Sequence, residues 1–496
     1  MKKSFNRLLA ILLAAVLLCG VMPLTASAEG IDITAEFTDP AFRAAVQALI
    51  GKDVILDTDV AGVTVLYVYG ELKYDESINK WVGQGEIKNL DGIEYFTGLT
   101  ALYCGANQLT SLPNLPSSLT YLGCSENQLA SLPELPSGLV WLTANDNKLT
   151  SLPTLPSSLD TLACHYNQLT SLPTLPPNLT VLQCWENKLT ALPALPSGLV
   201  KLHCSGNKLT ALPALPSGLK ELSCWGNQLA VLPSLPSGLL ELACSSNKLT
   251  TLPALPSSLI ELDCKENQLS ALPALPLGLK RLDCAYNQLI SLPKLPASLE
   301  VLECRGNQLT VLPELTAKMW FLACSDNKLT KLPALPPGIS DLLCSGNQLS
   351  ALDVTGLTLE LFHCQNNYLS SKSAVKGFTG VWDNEYFVFD PQKPQIDKTA
   401  LNAKLTQAKA IVKGNYTDAS WNALQAVIAG AQTVADNENT TQAQADAQVT
   451  ALQNAIAGLR EKPSENDPPP THFWDSWPGP LVWILRYLFF GWLWMR

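Results

Sequence analysis

From Leu99 to about Phe378 the pattern L-x-x-L-x-C-x-x-N-x-L-x-x-L-P-x-L-P-x-x recurs every twenty residues, fourteen times in one register. A fixed period of that length describes one structural unit that cannot bury its own apolar face and must stack on its neighbours, which makes a solenoid. The spacing predicts a short strand around Leu122 to Cys124 in each unit, paired in parallel with the units on either side. Pro133 and Pro136 and their equivalents exclude a strand or helix interior on the return path, so the convex side is expected to be extended or polyproline-like. Fourteen units at strand spacing give a sheet roughly 65 Å long. The expected fold class is therefore an α/β solenoid, mostly short parallel β.

Thirteen of the fourteen cysteines occupy one position of the repeat, Cys104, Cys124 and every twentieth residue from Cys164 to Cys364, with Ala144 in the skipped place. An odd count at a single packing position argues for small buried apolar side chains rather than a disulfide framework, and alanine in the series fits the same reading. The asparagines from Asn107 to Asn367 form a second ladder, whose amides suit turning backbone groups buried between units.

These residues, as in Leu119-x-x-Leu122-x-Cys124-x-x-Asn127-x-Leu129 followed by Leu132-Pro133-x-Leu135-Pro136, resemble bacterial leucine-rich repeats of the short Leu-Pro-x-Leu-Pro subtype. The resemblance implies a horseshoe or superhelix over residues 99–378. The same repeats are similar to those of bacterial ubiquitin-ligase effectors, which carry a large helical catalytic domain after them. Here a small helical stretch and an apolar tail follow instead, and a ligase is not expected. Residues 29–98 read as an upstream cap, with Phe42, Val46 and Ile50 on one helix face after Asp39-Pro40 and with Val63, Leu66 and Val68 in a strand. Ile87 to Tyr95 resembles the lead-in coil of secreted leucine-rich repeat proteins. Downstream, Gly377 to Pro391 reads as an aromatic β-type cover for the last coil that includes Trp382 and Tyr386, and residues 379–395 form the C-terminal cap and linker.

Beyond Pro394 the composition turns to Ala, Gln and Asn with a helical period: Leu401, Leu405, Ala408 and Val412, then Trp421, Leu424, Ile428 and Ala431, then Val449, Leu452, Ile456 and Leu459. Helices this short must pack on one another. The stretch Asn415 to Trp421, with Asp397 to Leu401 before it and Thr441 to Ala443 after it, resembles FIVAR modules of Gram-positive surface proteins over residues 396–461. Such a resemblance implies a spacer or a wall, sugar or matrix binder, and the residues do not choose among these.

Both ends point to the cell envelope. Lys2, Lys3 and Arg7, an apolar run from Leu8 to Val21, and Ala26-Ser27-Ala28 have the layout of a secretory signal peptide over residues 1–28. After a Pro-rich linker, 462–480, the segment 481–496 is almost wholly apolar and aromatic around Arg486 and Arg496. As a helix it reaches roughly 22 Å against a hydrocarbon core of about 30 Å, so it is expected to anchor by spanning a thinned bilayer or by lying at the interface. The expected localisation is exported and attached to the membrane or envelope.

The chemistry available is recognition rather than catalysis. With 33 basic against 43 acidic side chains the net charge is −10, which disfavours nucleic acid as a partner. His165, His203, His363 and His472 are the only histidines, and no nucleophile–base set, phosphate loop or zinc spacing occurs, so no enzyme activity, metal or cofactor is expected. Variation concentrates on the concave face, at the residues flanking the second Leu of each unit and the two after the Cys. The upstream half holds Tyr103, Tyr121, Trp141, His165, Tyr166, Trp185, His203 and Trp225, and the downstream half Glu221, Glu241, Glu261, Asp263, Asp283 and Glu303, near Lys265, Arg281 and Arg305. Exposed aromatics suit protein contacts or sugar stacking. The expected partner is an extracellular protein, the alternative a glycan or, for a purely structural envelope component, no specific ligand.

Overall fold

The computed structural model describes residues 30–75, 80–394, 396–437 and 440–462. The leader-like segment, the Pro-rich linker beyond residue 462 and the apolar tail fall outside them. The chain divides into two compact units, Met1–Lys393 and Pro394–Arg496.

In the first unit, fourteen three-residue strands, from Ala101–Tyr103 to Leu361–His363, recur at the repeat period and pair in parallel with their sequence neighbours. Pairing is in strict register, so Tyr121 stands beside Trp141, Leu122 beside Leu142 and Gly123 beside Thr143. Val65–Tyr67 adds one strand upstream and Phe387–Val388 one downstream, which gives a sixteen-stranded sheet. Each strand ends one residue before the cysteine, at Gly123 for example, rather than on it as the spacing suggests. The return path from Ser111 to Pro116 carries no helix or strand.

The central leucine (Phe362 in the last coil), the cysteine (Ala144 in one coil) and the leucine two residues past the asparagine are buried in every coil and form one continuous core. The asparagine ladder connects the coils. Asn227 Nδ2 donates to Cys224 O and Trp225 O in its own coil at 3.1 and 3.3 Å and to Cys204 O of the preceding coil at 3.1 Å. Its Oδ1 accepts from Leu209 N at 3.0 Å. One side chain thus bonds four backbone groups, of which Cys204 O, Cys224 O and Leu209 N have no backbone partner. The residue before each asparagine lies in the left-handed region in all fourteen coils, for example Glu126 at φ 57°, Tyr166 at φ 50° and Gly226 at φ 65°.

The ends are closed by the same bonds. Asn107 Nδ2 donates to Val68 O at 2.6 Å, so the residue just past the cap strand supplies the carbonyl that a preceding coil would. At the far end Gln392 Nε2 donates to Cys364 O at 3.1 Å, as the asparagine of a further coil would, and Gln392 Oε1 accepts from Asn367 N at 3.0 Å, where a further coil would offer a backbone carbonyl. Upstream, Asp39 caps the helix Pro40–Ile50 by accepting from Ala41 N and Phe42 N, and Phe42 and Val46 are buried. Gly92, at φ 96°, lies against the Phe37 ring at a distance no side chain would allow. Downstream, Phe378 and Trp382 pack at 4.3 Å over Phe362 of the last coil, so Trp382 covers the solenoid end, whereas Tyr386 is exposed.

The second unit holds helices Thr399–Lys409, Asp418–Asp436 and Gln442–Ala457 around Leu401, Leu405, Leu424, Ile428 and Leu452. Thr441 and Gln444 form a capping box at the third helix. Val412 is not on the first helix face as its spacing suggests; that helix ends at Lys409 and Val412 is 79% exposed. The third helix likewise stops before Leu459, which still packs against the core. Among the described residues no helix is long and apolar enough to cross a membrane.

Two outcomes follow. Asn227→Ala leaves Leu209 N–H without its acceptor, while Cys204 O and Cys224 O keep one donor each from Asn207 and Asn247, and costs about 1–3 kcal/mol; the urea midpoint of the full chain drops accordingly, while Ala at the neighbouring exposed Gln228 leaves it unchanged. The thiols give the second outcome. Burial pushes Cys124, Cys164, Cys204, Cys324 and Cys364 up to about 12, and the other repeat thiols also rise. The folded state therefore holds these protons above pH 9 and the unfolded state releases them, so stability is intact below pH 9 and is lost as pH rises toward 12, at about 1.4 kcal/mol per thiol per pH unit. Melting temperature measured across that range falls steeply, and replacing several rung cysteines with Ala flattens the fall.

Candidate functional site

Because strand side chains alternate, the buried central leucine puts both of its neighbours on the opposite, open face of the sheet. In-register stacking turns these positions into two columns, and the residue after each cysteine adds a third. In the first column Tyr121, Trp141, Thr161, Val181, Lys201, Glu221, Glu241, Glu261 and Arg281 succeed one another, each beside the next. Tyr103, His203, Asp263, Asp283 and Glu303 stand in the second column. His165, Trp185, Trp225, Lys265 and Arg305 follow cysteines.

The upstream aromatics form two groups rather than one row. Tyr67 stacks on Tyr103 at 4.6 Å, Tyr103 meets Tyr121 at 4.5 Å and Tyr121 stacks on Trp141 at 6.2 Å. This diagonal crosses from the second column to the first, and it starts on the cap strand, which sequence reasoning left out. In the second group His165 lies flat on Trp185 at 3.6 Å and Trp185 tilts toward His203 at 6.0 Å. Tyr166 stands apart from the columns, in the left-handed turn position, 48% exposed and edge-on to His165 at 5.8 Å. Trp225 makes no ring contact with another aromatic among the described residues; its neighbours in the third column are Ser205 and Ser245, and it is 40% exposed.

The spacing of the stacks decides what they offer. Rings 4.5–6.2 Å apart along the solenoid axis cover one another's faces, and Tyr121 lies across Gly123 with its hydroxyl at Thr143. Burial, with Tyr121 and Tyr67 beside it, raises the Tyr103 phenol above its ordinary value.

The downstream carboxylates are unevenly paired. Glu221 meets Lys201 at 2.6 Å and His203 at 3.7 Å; Lys265 reaches Asp283 at 3.2 Å and Asp263 at 3.8 Å; Arg305 holds Glu303 at 2.6 Å. Glu241 and Glu261 form no ion pair among the described residues, and Glu241 stands between the carboxylates of Glu221 and Glu261. Burial, then those two neighbours, raise Glu241 above the usual carboxylate range, and burial with Asp283 raises Asp263. Burial lowers His203 although Glu221 opposes it. Among the described residues no group of three or more His, Cys, Asp or Glu is placed to hold a metal ion.

The first unit is similar to YopM from Yersinia enterocolitica WA-314, with 33% identity and a TM-score of 0.53 over 62% of this chain and 76% of that one. It is also similar to YopM of Yersinia pestis, a leucine-rich effector protein, with 32% identity and a TM-score of 0.56 over 62% of this chain and 86% of that one. The solenoid is a leucine-rich repeat domain. Its parallel three-residue strands, buried leucine columns and asparagine turns are the repeat seen coil by coil. No protein-family model matches the chain. An 80-residue stretch is 40% identical to the lacto-N-biosidase of Bifidobacterium longum, over 16% of this chain and 5% of that protein. This chain thus spans a small fraction of that relative's length.

Proposed function

We propose that this chain is a non-catalytic recognition protein, exported and held at the cell envelope, that binds a protein partner through the concave face of its leucine-rich repeat solenoid. One observation carries the reading. The buried columns repeat almost without change, whereas the columns on the open face vary from coil to coil and hold half-exposed aromatic and charged side chains that the fold does not require. Aromatic and charged residues fixed on a rigid sheet give contact area at low entropic cost. Protein is favoured over glycan because sugar stacking needs free ring faces, and the rings of the upstream diagonal cover one another. Trp225 supports the second reading, a glycan ligand, since its faces meet no other ring. The three-helix unit, resembling FIVAR modules, serves as spacer or wall contact, and the leader-like and apolar terminal segments serve export and attachment.

The test is a protein array and a glycan array probed side by side with the full chain and with Trp141→Ala/Trp185→Ala/Trp225→Ala. Protein hits weakened tenfold or more by the variant, with unchanged circular dichroism and melting temperature, are expected. Variant-sensitive hits confined to glycans give the second reading, and silence on both arrays removes recognition altogether. Attachment is read separately: removal of residues 481–496 moves the chain from the membrane fraction into the medium, and an unchanged distribution overturns the anchor.

A further inference from the structure

The proposed recognition reading leaves the partner's chemistry open, and the downstream half of the open face narrows it. The first column runs Lys201, Glu221, Glu241, Glu261, Arg281, so three successive carboxylates are bounded by a cation at each end. Lys201 is used by Glu221, and Lys265 by Asp283 and Asp263; Glu241 is flanked by carboxylates on both sides, and Glu261, next to Arg281, forms no ion pair among the described residues. Beside them the second column is small: Ser223 and Ala243 fill the two places between His203 and Asp263. Missing side-chain volume there opens a depression of about 250 Å³, with the three glutamates along one side and His203 and Asp263 at its ends. Two positions beyond Ser223 on the same coil stands the Trp225 ring, free of other rings and partly exposed.

Like charges one strand spacing apart raise each other's energy unless a cation intervenes, and none intervenes between Glu221, Glu241 and Glu261. We propose that the coils from Glu221 to Glu303 dock an extended basic segment of the partner protein, with one Lys or Arg side chain seated in the depression between Glu241, Glu261 and Asp263. A seated ammonium or guanidinium group donates charge-assisted hydrogen bonds to carboxylates already held in place, and Trp225 offers an open face for a second cationic side chain of the segment. The four coil spacings from Glu221 to Glu303 amount to about 19 Å, which an extended segment of about six residues covers at roughly 3.3 Å per residue. Lys201 and Arg281 mark the ends of the carboxylate run and disfavour a longer uninterrupted basic stretch.

The proposal rests on recognition by this face, and the test separates the two. The full chain is titrated with hexalysine, hexaarginine, hexaglutamate and a Gly-Ser hexapeptide, with calcium alone as a further probe. The same titrations use Glu241→Gln/Glu261→Gln/Asp263→Asn and, as a charge-matched control remote from the depression, Glu134→Gln/Glu314→Gln/Glu360→Gln. Expected is binding of the two basic peptides that falls tenfold or more in the first variant, stays within twofold in the control, weakens with added salt and weakens below pH 5 as the carboxylates protonate. Equal loss in both variants means attraction to net charge only and overturns the proposal, as does no binding by the unaltered chain. Calcium binding that the first variant abolishes, without peptide binding, makes the depression a cation site and also overturns it. In any of these failures, protein-array hits that remain sensitive to the triple Trp variant keep the recognition reading standing, and their absence sinks that reading as well.

Discussion

The asparagine side chain that reaches from one coil to the one before it is the interaction on which the rest of the solenoid depends. A strand of three residues has too few ladder bonds to fix its own position, and the chain must turn sharply right after it. The turn buries carbonyls that point into the stack and places a residue in the left-handed region in each coil. The amide answers both needs, since its Nδ2 gathers two carbonyls of its own turn and one from the preceding coil while its Oδ1 takes the N–H of the leucine two residues past that coil's asparagine. Leucines and cysteines then pack at fixed height, and the core becomes a column rather than a globule. Without that amide the leucines would still seek burial, but nothing would set the pitch at which they do so.

Fixing the interior in this way releases the open face from structural duty. Its side chains stand at positions set by strand register, about 4.8 Å apart from coil to coil, and what each one does follows from its neighbours. Aromatic residues that follow one another in register turn their faces inward to the stack, while one flanked by serines keeps its faces open. Carboxylates paired with lysine or arginine are neutralised, as Glu221 is by Lys201, whereas burial and two flanking carboxylates raise Glu241 above the usual carboxylate range. The face is thus a pattern of satisfied and unsatisfied groups, and the unsatisfied ones are where a partner gains the most.

Much of this was legible in the sequence because the buried positions obey a period. Leu122, Cys124 and Asn127 and their equivalents are where spacing puts them, the return path is as irregular as Pro133 and Pro136 require, and Asp39-Pro40 opens a helix with Phe42 and Val46 inside. Less legible were features that depend on which neighbour a side chain turns toward. The left-handed residue is glycine in only four of fourteen coils, Gly206, Gly226, Gly306 and Gly346, so composition hides a backbone conformation that the inter-coil bonds impose. Tyr67 joins the aromatic diagonal only because the cap strand pairs with Ala101–Tyr103. Gln392 looks like any linker residue until its amide is seen to stand in for an asparagine. Val412 continued a helical spacing that the backbone does not follow.

That last glutamine has a consequence for how such a chain changes over generations. Since Gln392 donates to Cys364 O as Asn367 donates to the cysteine carbonyl of the coil before it, the terminal segment recognises a generic rung and not a particular one. Val68 plays the complementary part at the start. Gene segments encoding whole twenty-residue units can therefore be duplicated, lost or exchanged between the two closures, with both end pieces unaltered. Reach and the order of aromatic and acidic stations become inheritable variables of a molecule whose ends stay the same.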